Sequence, residues 1–396
     1  MTQPTIRTVA VVGAGVIGRS WIRVFARAGC ETRVFDPDPE QLARALEWSR
    51  ASADEDEALG FIDAGAAAGE GRAVRRCDTL EEALSGAGWV QESGPETLAV
   101  KQRIFSDLDA AAEPGTILAS STSAHDMSRI ADGLPGAGRC VVAHPVNPPH
   151  VIPVVELLPG EGTHPEVLTA ALAFLESVGQ SPVQMNRYLP GFLLNRLQAA
   201  LLREAVFLYG SGAASVEAID TVVREGLGLR WALLGPFGTG HTNADGGAGE
   251  YYRRYGDAYR ETWRELEADP EFSERVIDGI HAETEGMYGA SATEALCAWR
   301  DRVVRRIRAL KEDDPPPGGS TPGIGRCSAG LVSFLKRRSA RACLLTCADR
   351  ALLPLLRPRA PPQSGAANHA EACVSPRPLR DHRPRGPGGR PGGRGR

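Results

Sequence analysis

Two side chains in the middle of this sequence are of the types that move protons. A β-branched run, Val141-Val142, brings His144 to the end of a predicted strand. The next segment, His-Pro-Val-Asn-Pro-Pro, suits neither a helix nor a regular strand. Pro145, Pro148 and Pro149 each lack an N–H donor and fix φ. A second strand-like run, 152–158, carries Glu156. An imidazole and a carboxylate twelve residues apart, on strands joined by a stiff turn, can face each other. A general base and the group that orients it need that arrangement. The bland alternative is a loop histidine and a strand-end glutamate with no shared task.

The elements around this pair decide between the two. Residues 5–12 form a mostly β-branched strand, of the kind buried on both faces of a parallel sheet. It runs into Gly13-Ala14-Gly15-Val16-Ile17-Gly18, then into an apolar helix over 17–28 that Gly29 stops. A second strand, 31–35, ends at Asp36. This is GxGxxG with a strand before it, a helix after it and an acid at the end of the next strand. Gly13 allows the tight turn, Gly15 lets a pyrophosphate approach the backbone, and Gly18 lets helix and strand pack closely. The helix N-terminus favours phosphate. Asp36 accepts the ribose hydroxyls and repels a 2′-phosphate, so NAD is expected over NADP.

Strand and helix continue to alternate. Helix is predicted over 41–49, helix or loop over 51–69, strand over 89–92, helix over 98–112 and strand over 116–120. Ser123, His144 and the turn holding Glu96 all follow strand ends, where open α/β sheets bind ligands. A helix over 165–178 and a strand over 183–186 close this part. From Gly191 onward the pattern is helical. The first of these helices, 192–208, is apolar but interrupted by Asn195 and Arg203. Others are expected over 216–225, 250–267, 272–288 and 292–310, the last capped by Ser291. Arg230 follows Gly226-Leu-Gly-Leu, read as a glycine-rich helix end beside apolar Trp231 to Leu234. It is either a fork for a substrate carboxylate, or a structural charge paired with Glu225 or with the helix end.

The fold class is therefore an α/β Rossmann-type doubly wound sheet followed by an all-α second domain and a C-terminal tail. The expected boundaries are 1–188 for the NAD-binding domain, 189–312 for a helical substrate or dimerisation domain, and 313–396 for the tail. A length of 396 residues suits that count. The net charge of −4 gives no case for nucleic acid or an anionic membrane surface. No apolar run reaches the ~20 residues that span a bilayer, and the N-terminus passes directly into a strand without a signal-peptide core. No Cys/His group has metal-ligand spacing, and the scattered cysteines suit reduced thiols in the cytoplasm. Residues 315–396 hold 13 of the 29 prolines and 15 Lys and Arg against three acids. Such a segment has little to bury and is expected to be disordered. As a basic arm it lacks the interleaved aromatics of a nucleic-acid binder.

Six stretches carry a resemblance: VVGAGVIGRSW, QESGPETLAVKQ, ASSTS, AHPVNPPHVIPVVELLPG, GFLLNRLQ and GLGLRWALLGPFGTGHTNADG. Over roughly residues 6–310 the chain resembles the L-3-hydroxyacyl-CoA dehydrogenase superfamily. Within it, the lambda-crystallin branch, whose members are L-gulonate 3-dehydrogenases, is the most similar. The resemblance implies a Rossmann domain, a helical second domain, a cleft between them and a homodimer. It implies that His144 is the catalytic histidine and Glu156 its carboxylate partner. It places Ser123 and Asn195 at the substrate, and Val16, Ile17, Asp36, Glu96 and Lys101 at NAD. The expected activity is NAD-dependent oxidation of an L-3-hydroxy acid to a 3-keto acid. The alternatives are an L-3-hydroxyacyl-CoA dehydrogenase of fatty acid metabolism and a non-catalytic NAD-binding structural protein. The fatty-acyl branch usually reads HFFNP where this chain reads HPVNP, which weakens the acyl-CoA assignment. His150 stands where crystallin-like relatives usually have tyrosine, and an altered pocket wall is the expected consequence.

One prediction follows from the composition. Ending the chain near Asp314 should leave folding and activity intact, because residues beyond it have little to bury. A large fall in melting temperature on truncation would refute this.

Overall fold

The computed structural model describes residues 6–266, 270–289 and 293–314. The predicted tail from 315 onward and the predicted cap Ser291 lie outside the described residues. The first element, β1 (Thr8–Val12), feeds α1 (Val16–Arg27), and β2 (Glu31–Phe35) returns beside it in parallel. Then come α2 (Pro39–Ala58), α3 (Ala66–Ala73), β3 (Val74–Arg76), α4 (Leu80–Leu84), β4 (Trp89–Glu92) and α5 (Leu98–Ala111). They are followed by β5 (Ile117–Ser120), α6 (Met127–Ile130), β6 (Cys140–Pro145), β7 (Val154–Pro159), α7 (Pro165–Ser177) and β8 (Ser181–Gln184). The sheet has eight strands in the order β3-β2-β1-β4-β5-β6-β7-β8. The first six are parallel; β7 lies antiparallel to β6, and β8 runs with β7.

Both faces of the sheet are covered, and the alternation of β1 shows how. Val9 and Val11 pack with Trp21, Phe25, Trp89 and Phe174 on one side. Ala10 and Val12 pack with Phe105, Leu108, Leu118 and Phe192 on the other. A strand buried on both sides needs a continuous apolar run, and TVAVV supplies it.

The helical part comprises α8 (Leu194–Gly210), α9 (Val216–Thr221), α10 (Gly228–His241), α11 (Gly247–Glu265), α12 (Glu274–Tyr288) and α13 (Thr293–Asp313). It has almost no core of its own. Among the described residues from Leu194 on, only Val206, Thr239, Gly240, Gly247, Val276 and Ala309 are buried. The last helix, α13, returns to the sheet domain. There Arg305 pairs with buried Asp56, and Arg308 donates to the Val151 carbonyl at 2.8 Å.

Several boundaries differ from the sequence reading. The span read as a short helix and a doubtful one is largely a single helix, α2. Asp38 caps it by accepting the N–H groups of Glu40 and Gln41, with Pro39 at its first position. Pro145 belongs to β6, at its end opposite Val155, where a missing N–H costs little. The strand expected over 183–186 lies at Ser181–Gln184. The helix expected from 192 begins at Leu194, because Phe192 sits at φ 48° after Gly191 at φ 76°. The glycines before Arg230 do not end a helix. The chain stays helical from Val216 through Val222–Leu227, with wider turns, into α10, and breaks only at Gly235-Pro236.

Gly18 fixes how closely α1 meets the sheet. A Cβ there would fall 1.9 Å from the Gly13 carbonyl oxygen, which is backbone and cannot swing away. Gly18→Ala should therefore destabilise the protein by about 1–3 kcal/mol or more, as overpacking does. Gly71→Ala, where a Cβ meets nothing within 4 Å, serves as the control. Equal melting temperatures for the two variants would overturn this account.

Candidate active site

His144 and Glu156 are register partners on β6 and β7. The antiparallel pairing turns both side chains to one face, so two residues distant in sequence meet without any loop rearrangement. His144 Nδ1 lies 2.7 Å from Glu156 Oε2, and both residues are buried. The imidazole packs edge-on against Phe192, ring centroids 5.4 Å apart. With Nδ1 committed to the carboxylate, Nε2 is the ring nitrogen left for a ligand.

Glu156 has a second task that the sequence did not reveal. Its Oε1 accepts the N–H groups of Leu193 at 2.7 Å and Leu194 at 2.9 Å, capping the start of α8. Burial works against the charge on this carboxylate. The bonds from His144, Leu194 and Leu193 outweigh burial and hold its pKa below the ordinary value.

These groups open onto a cleft of about 500 Å³. Of the residues singled out from sequence, Ile17, Glu96, Lys101, Ser123, His144 and Asn195 line it together. Asn195 stands in the first turn of α8. The hydroxyl and N–H of Ser123 both donate to Glu96 Oε1, at 3.3 and 2.7 Å. Glu96 Oε2 lies 3.2 Å from Lys101 Nζ. Burial opposes the Glu96 charge, but the Thr122 hydroxyl and the Lys101 ammonium hold its pKa below the ordinary value. Ser93 and Ser121 also line the cleft and were not singled out. Their hydroxyls lie 2.9 Å apart, and Ser121 also accepts from Trp21 Nε1 and Gln91 Nε2. Serines at strand ends carry no sequence signal beyond the strand end itself.

The glycine-rich turn fits a dinucleotide. Gly13 adopts φ 94°, and a Cβ on it would strike the Ser93 carbonyl at 2.8 Å. At Gly15 a Cβ would meet no protein atom within 4 Å, so the space beside that backbone is open to a ligand. Gly15 caps α1 without a side-chain bond, which leaves first-turn N–H groups for phosphate oxygens. Val16 lies exposed at this helix start. Asp36 stands at the end of β2, and its two oxygens accept the N–H groups of Ala14 at 2.6 Å and Asp38 at 2.9 Å. The carboxylate thus shapes the turn.

Two residues are not brought here. Arg230 is exposed and lines a separate hollow with Trp231, Phe237, Tyr251, Tyr252 and Trp263. Its suggested partner Glu225 pairs with Arg224 instead. His150, expected in the pocket wall, is buried elsewhere, edge-on to Trp48 at 5.3 Å. Burial and the nearby arginines, Arg305 foremost, push its pKa down to about 2, so it is neutral. Among the described residues no cluster of His, Cys, Asp and Glu could hold a metal ion, and no helix is long and apolar enough to cross a membrane. Cys30, Cys77, Cys140 and Cys297 are free thiols.

Comparison with known proteins agrees with this geometry. The family profile described as 3-hydroxyacyl-CoA dehydrogenase, NAD binding domain, matches residues 8–188. That of the 3-hydroxyacyl-CoA dehydrogenase C-terminal domain matches residues 191–282. The chain is 39% identical to the lambda-crystallin homolog of Bos taurus, over 78% of this chain and 96% of the relative. It is 38% identical to L-carnitine dehydrogenase of Nocardiopsis dassonvillei, over 78% and 94% respectively. Among solved structures, 5-formyl-3-hydroxy-2-methylpyridine 4-carboxylic acid 5-dehydrogenase, an NAD+-dependent dismutase, superposes with a TM-score of 0.67 at 29% identity, over 78% of this chain and 99% of that one. The cofactor is NAD, and the chain belongs to the 3-hydroxyacyl-CoA dehydrogenase family of NAD-dependent dehydrogenases.

Proposed function

We propose that the chain oxidises a small L-3-hydroxy acid to the 3-keto acid, in the manner of an L-gulonate 3-dehydrogenase. The observation that carries this reading is the buried His144–Glu156 pair, opening onto a cleft beside the glycine-rich turn. His144 Nε2 takes the proton of the substrate hydroxyl as the C=O bond forms. NAD, when bound, supplies the acceptor for the hydride from the same carbon. Glu156 keeps the imidazole in one orientation and stabilises the imidazolium. Ser123 and Asn195 hold the substrate oxygen by hydrogen bonds. Lys101, Glu96, Ile17, Val16 and Asp36 hold the cofactor, with residues 1–188 as its domain and 189–312 closing over the substrate.

The name L-carnitine dehydrogenase, borne by relatives 38% identical to the chain, supports a free acid. The family's own description supports the thioester alternative. We further propose a homodimer. The helical part leaves Leu197, Leu202, Leu229, Leu233, Phe237, Trp263 and Trp299 exposed, and a second copy would cover them. Arg230 keeps a role as a carboxylate fork only if its hollow meets the His144 cleft of that second copy.

The test is a turnover panel with NAD: L-gulonate, L-3-hydroxybutyrate, L-carnitine and 3-hydroxybutyryl-CoA. A free acid is expected to give the highest kcat/KM. Arg230→Met should then lower kcat/KM for the acid far more than for the thioester. Preference for the thioester would return the acyl-CoA reading to first place. NAD binding with no turnover on any of the four would favour a structural protein. His144→Ala should lower kcat by about 10²–10⁴-fold while NAD affinity stays near wild type. Normal turnover in that variant would remove His144 from the mechanism.

Glu156 also makes a prediction about pH. Its pKa is lowered on folding from the ordinary 4.5. The stability it contributes is thus complete above that value and lost as pH falls through the lower, folded one. Glu156→Gln should unfold more easily at neutral pH and lose less further stability on acidification than the wild type. Parallel acid-unfolding curves for the two proteins would contradict the coupling.

A further inference from the structure

Behind the wall of the cleft lies a carboxylate that does not itself line it. Glu92, the last residue of β4, is 0% exposed. Removing a carboxylate from water costs several kcal/mol unless donors replace the solvent. Here they do. Lys101 Nζ lies 3.1 Å from each Glu92 oxygen. The Gly94 N–H donates to Oε1 at 2.7 Å, and the Ser120 hydroxyl to Oε2 at 2.6 Å.

Each donor belongs to a different part of the site. Gly94 forms the turn after β4, and Ser120 ends β5 beside the Ser121–Ser123 turn. Lys101 comes from α5, is itself 1% exposed, and reaches the cleft with its ammonium. That ammonium also meets Glu96 Oε2, whose other oxygen holds Thr122, Ser123 and Ala124. The Ser120 hydroxyl in turn accepts the Thr122 N–H at 3.2 Å. Glu92 is thus linked to Ser123 by two routes, through Lys101 and Glu96 and through Ser120 and Thr122. Stability alone does not explain such a group, because an apolar pair of similar volume is often as stable or more so.

We propose that Glu92 is a positioning residue: from outside the cleft it fixes Lys101 and the two strand-end turns that present Gly94 and Ser123. This rests on the reading of Lys101 as a cofactor contact and Ser123 as a substrate contact. Replacing the carboxylate by an amide removes the charge and turns one acceptor into a donor facing the ammonium. Lys101 then loses its anchor, and the Gly94 turn loses its clamp. The effect appears in cofactor binding as well as in turnover.

The experiment compares the full-length wild type with Glu92→Gln, Lys101→Met and the double variant. Calorimetric NAD affinity, kcat and KM are measured on the best substrate of the panel, together with melting temperature. Glu92→Gln is expected to weaken NAD binding and to lower kcat/KM by roughly 10–100-fold, the range seen when a partner behind a functional group is lost. Lys101→Met should weaken NAD comparably. The double variant should be no worse than Glu92→Gln, since both changes act through one contact. It also buries no lone charge, so it decides the matter if Glu92→Gln does not fold. Wild-type NAD affinity and kcat/KM in folded Glu92→Gln, or in the folded double variant, would make Glu92 a structural ion-pair partner only, whatever the melting temperature. Normal NAD binding in Lys101→Met beside a weakened Glu92→Gln would instead remove Lys101 from the cofactor and leave the reading of His144 standing.

Discussion

Glu156 is the carboxylate on which the arrangement depends. Each of its oxygens serves a different element: one orients His144 on the neighbouring strand, the other caps the first turn of α8. A buried carboxylate must be satisfied on both oxygens. The sheet can supply the imidazole, but only the next part of the chain supplies the two N–H groups. Placing the imidazole and starting the helical part are therefore one event. Because α8 begins there, Asn195 in its first turn comes to the same cleft as His144. The helix start is pinned further by Phe192, buried beneath the imidazole at positive φ. Such a conformation costs of order 1–3 kcal/mol and persists only where its surroundings hold it.

The cofactor end shows a similar economy. Asp36 bonds the backbone of Ala14, and Gln41 donates to the carbonyl of the same residue at 2.8 Å. The glycines let the turn adopt its shape, and these two polar side chains keep it there. Gly13 cannot carry a side chain because the Ser93 carbonyl is against it. The turn after β1 and the turn after β4 are thus packed on each other. A change in one reaches the other, and the turn after β4 borders the cleft through Ser93 and Gly94.

What the sequence revealed follows from how local each signal is. The strands Glu31–Phe35 and Trp89–Glu92 could be read to the residue, because flanking turns bound short extended runs. The pairing of His144 with Glu156 was legible because alternation in two antiparallel strands fixes which residues share a face. Helix limits were less legible. Gly226 and Gly228 looked like a stop, yet helix packing carries the chain through them, and a glycine inside a helix costs only about 1 kcal/mol. The positions of Arg230 and His150 depend on how whole elements pack, and no spacing rule encodes that. Glu92 was hidden for another reason. It reads as one more polar residue at the end of a strand, and its burial is visible only once α5 lies against the sheet.

Two helix starts show how the same physics is put to different ends. The N-terminal turns of α1 and α8 both leave backbone N–H groups without helical partners. At α8 the chain itself supplies the anion, Glu156, whose charge suits the positive end of the helix dipole. At α1 no side chain caps the turn, and its first residue, Val16, is exposed. Asp36 stops short of it, spending its oxygens on Ala14 and Asp38. Had Asp36 capped α1, it would have put a negative charge at the start of that helix. The helix that carries Asn195 is closed by protein, and the start of α1 is left without a side-chain cap. The two starts border one cleft, because Ile17 of α1 and Leu194 of α8 both line it. That geometry brings the first turn of α1, the start of α8 and the imidazole of His144 to one cleft.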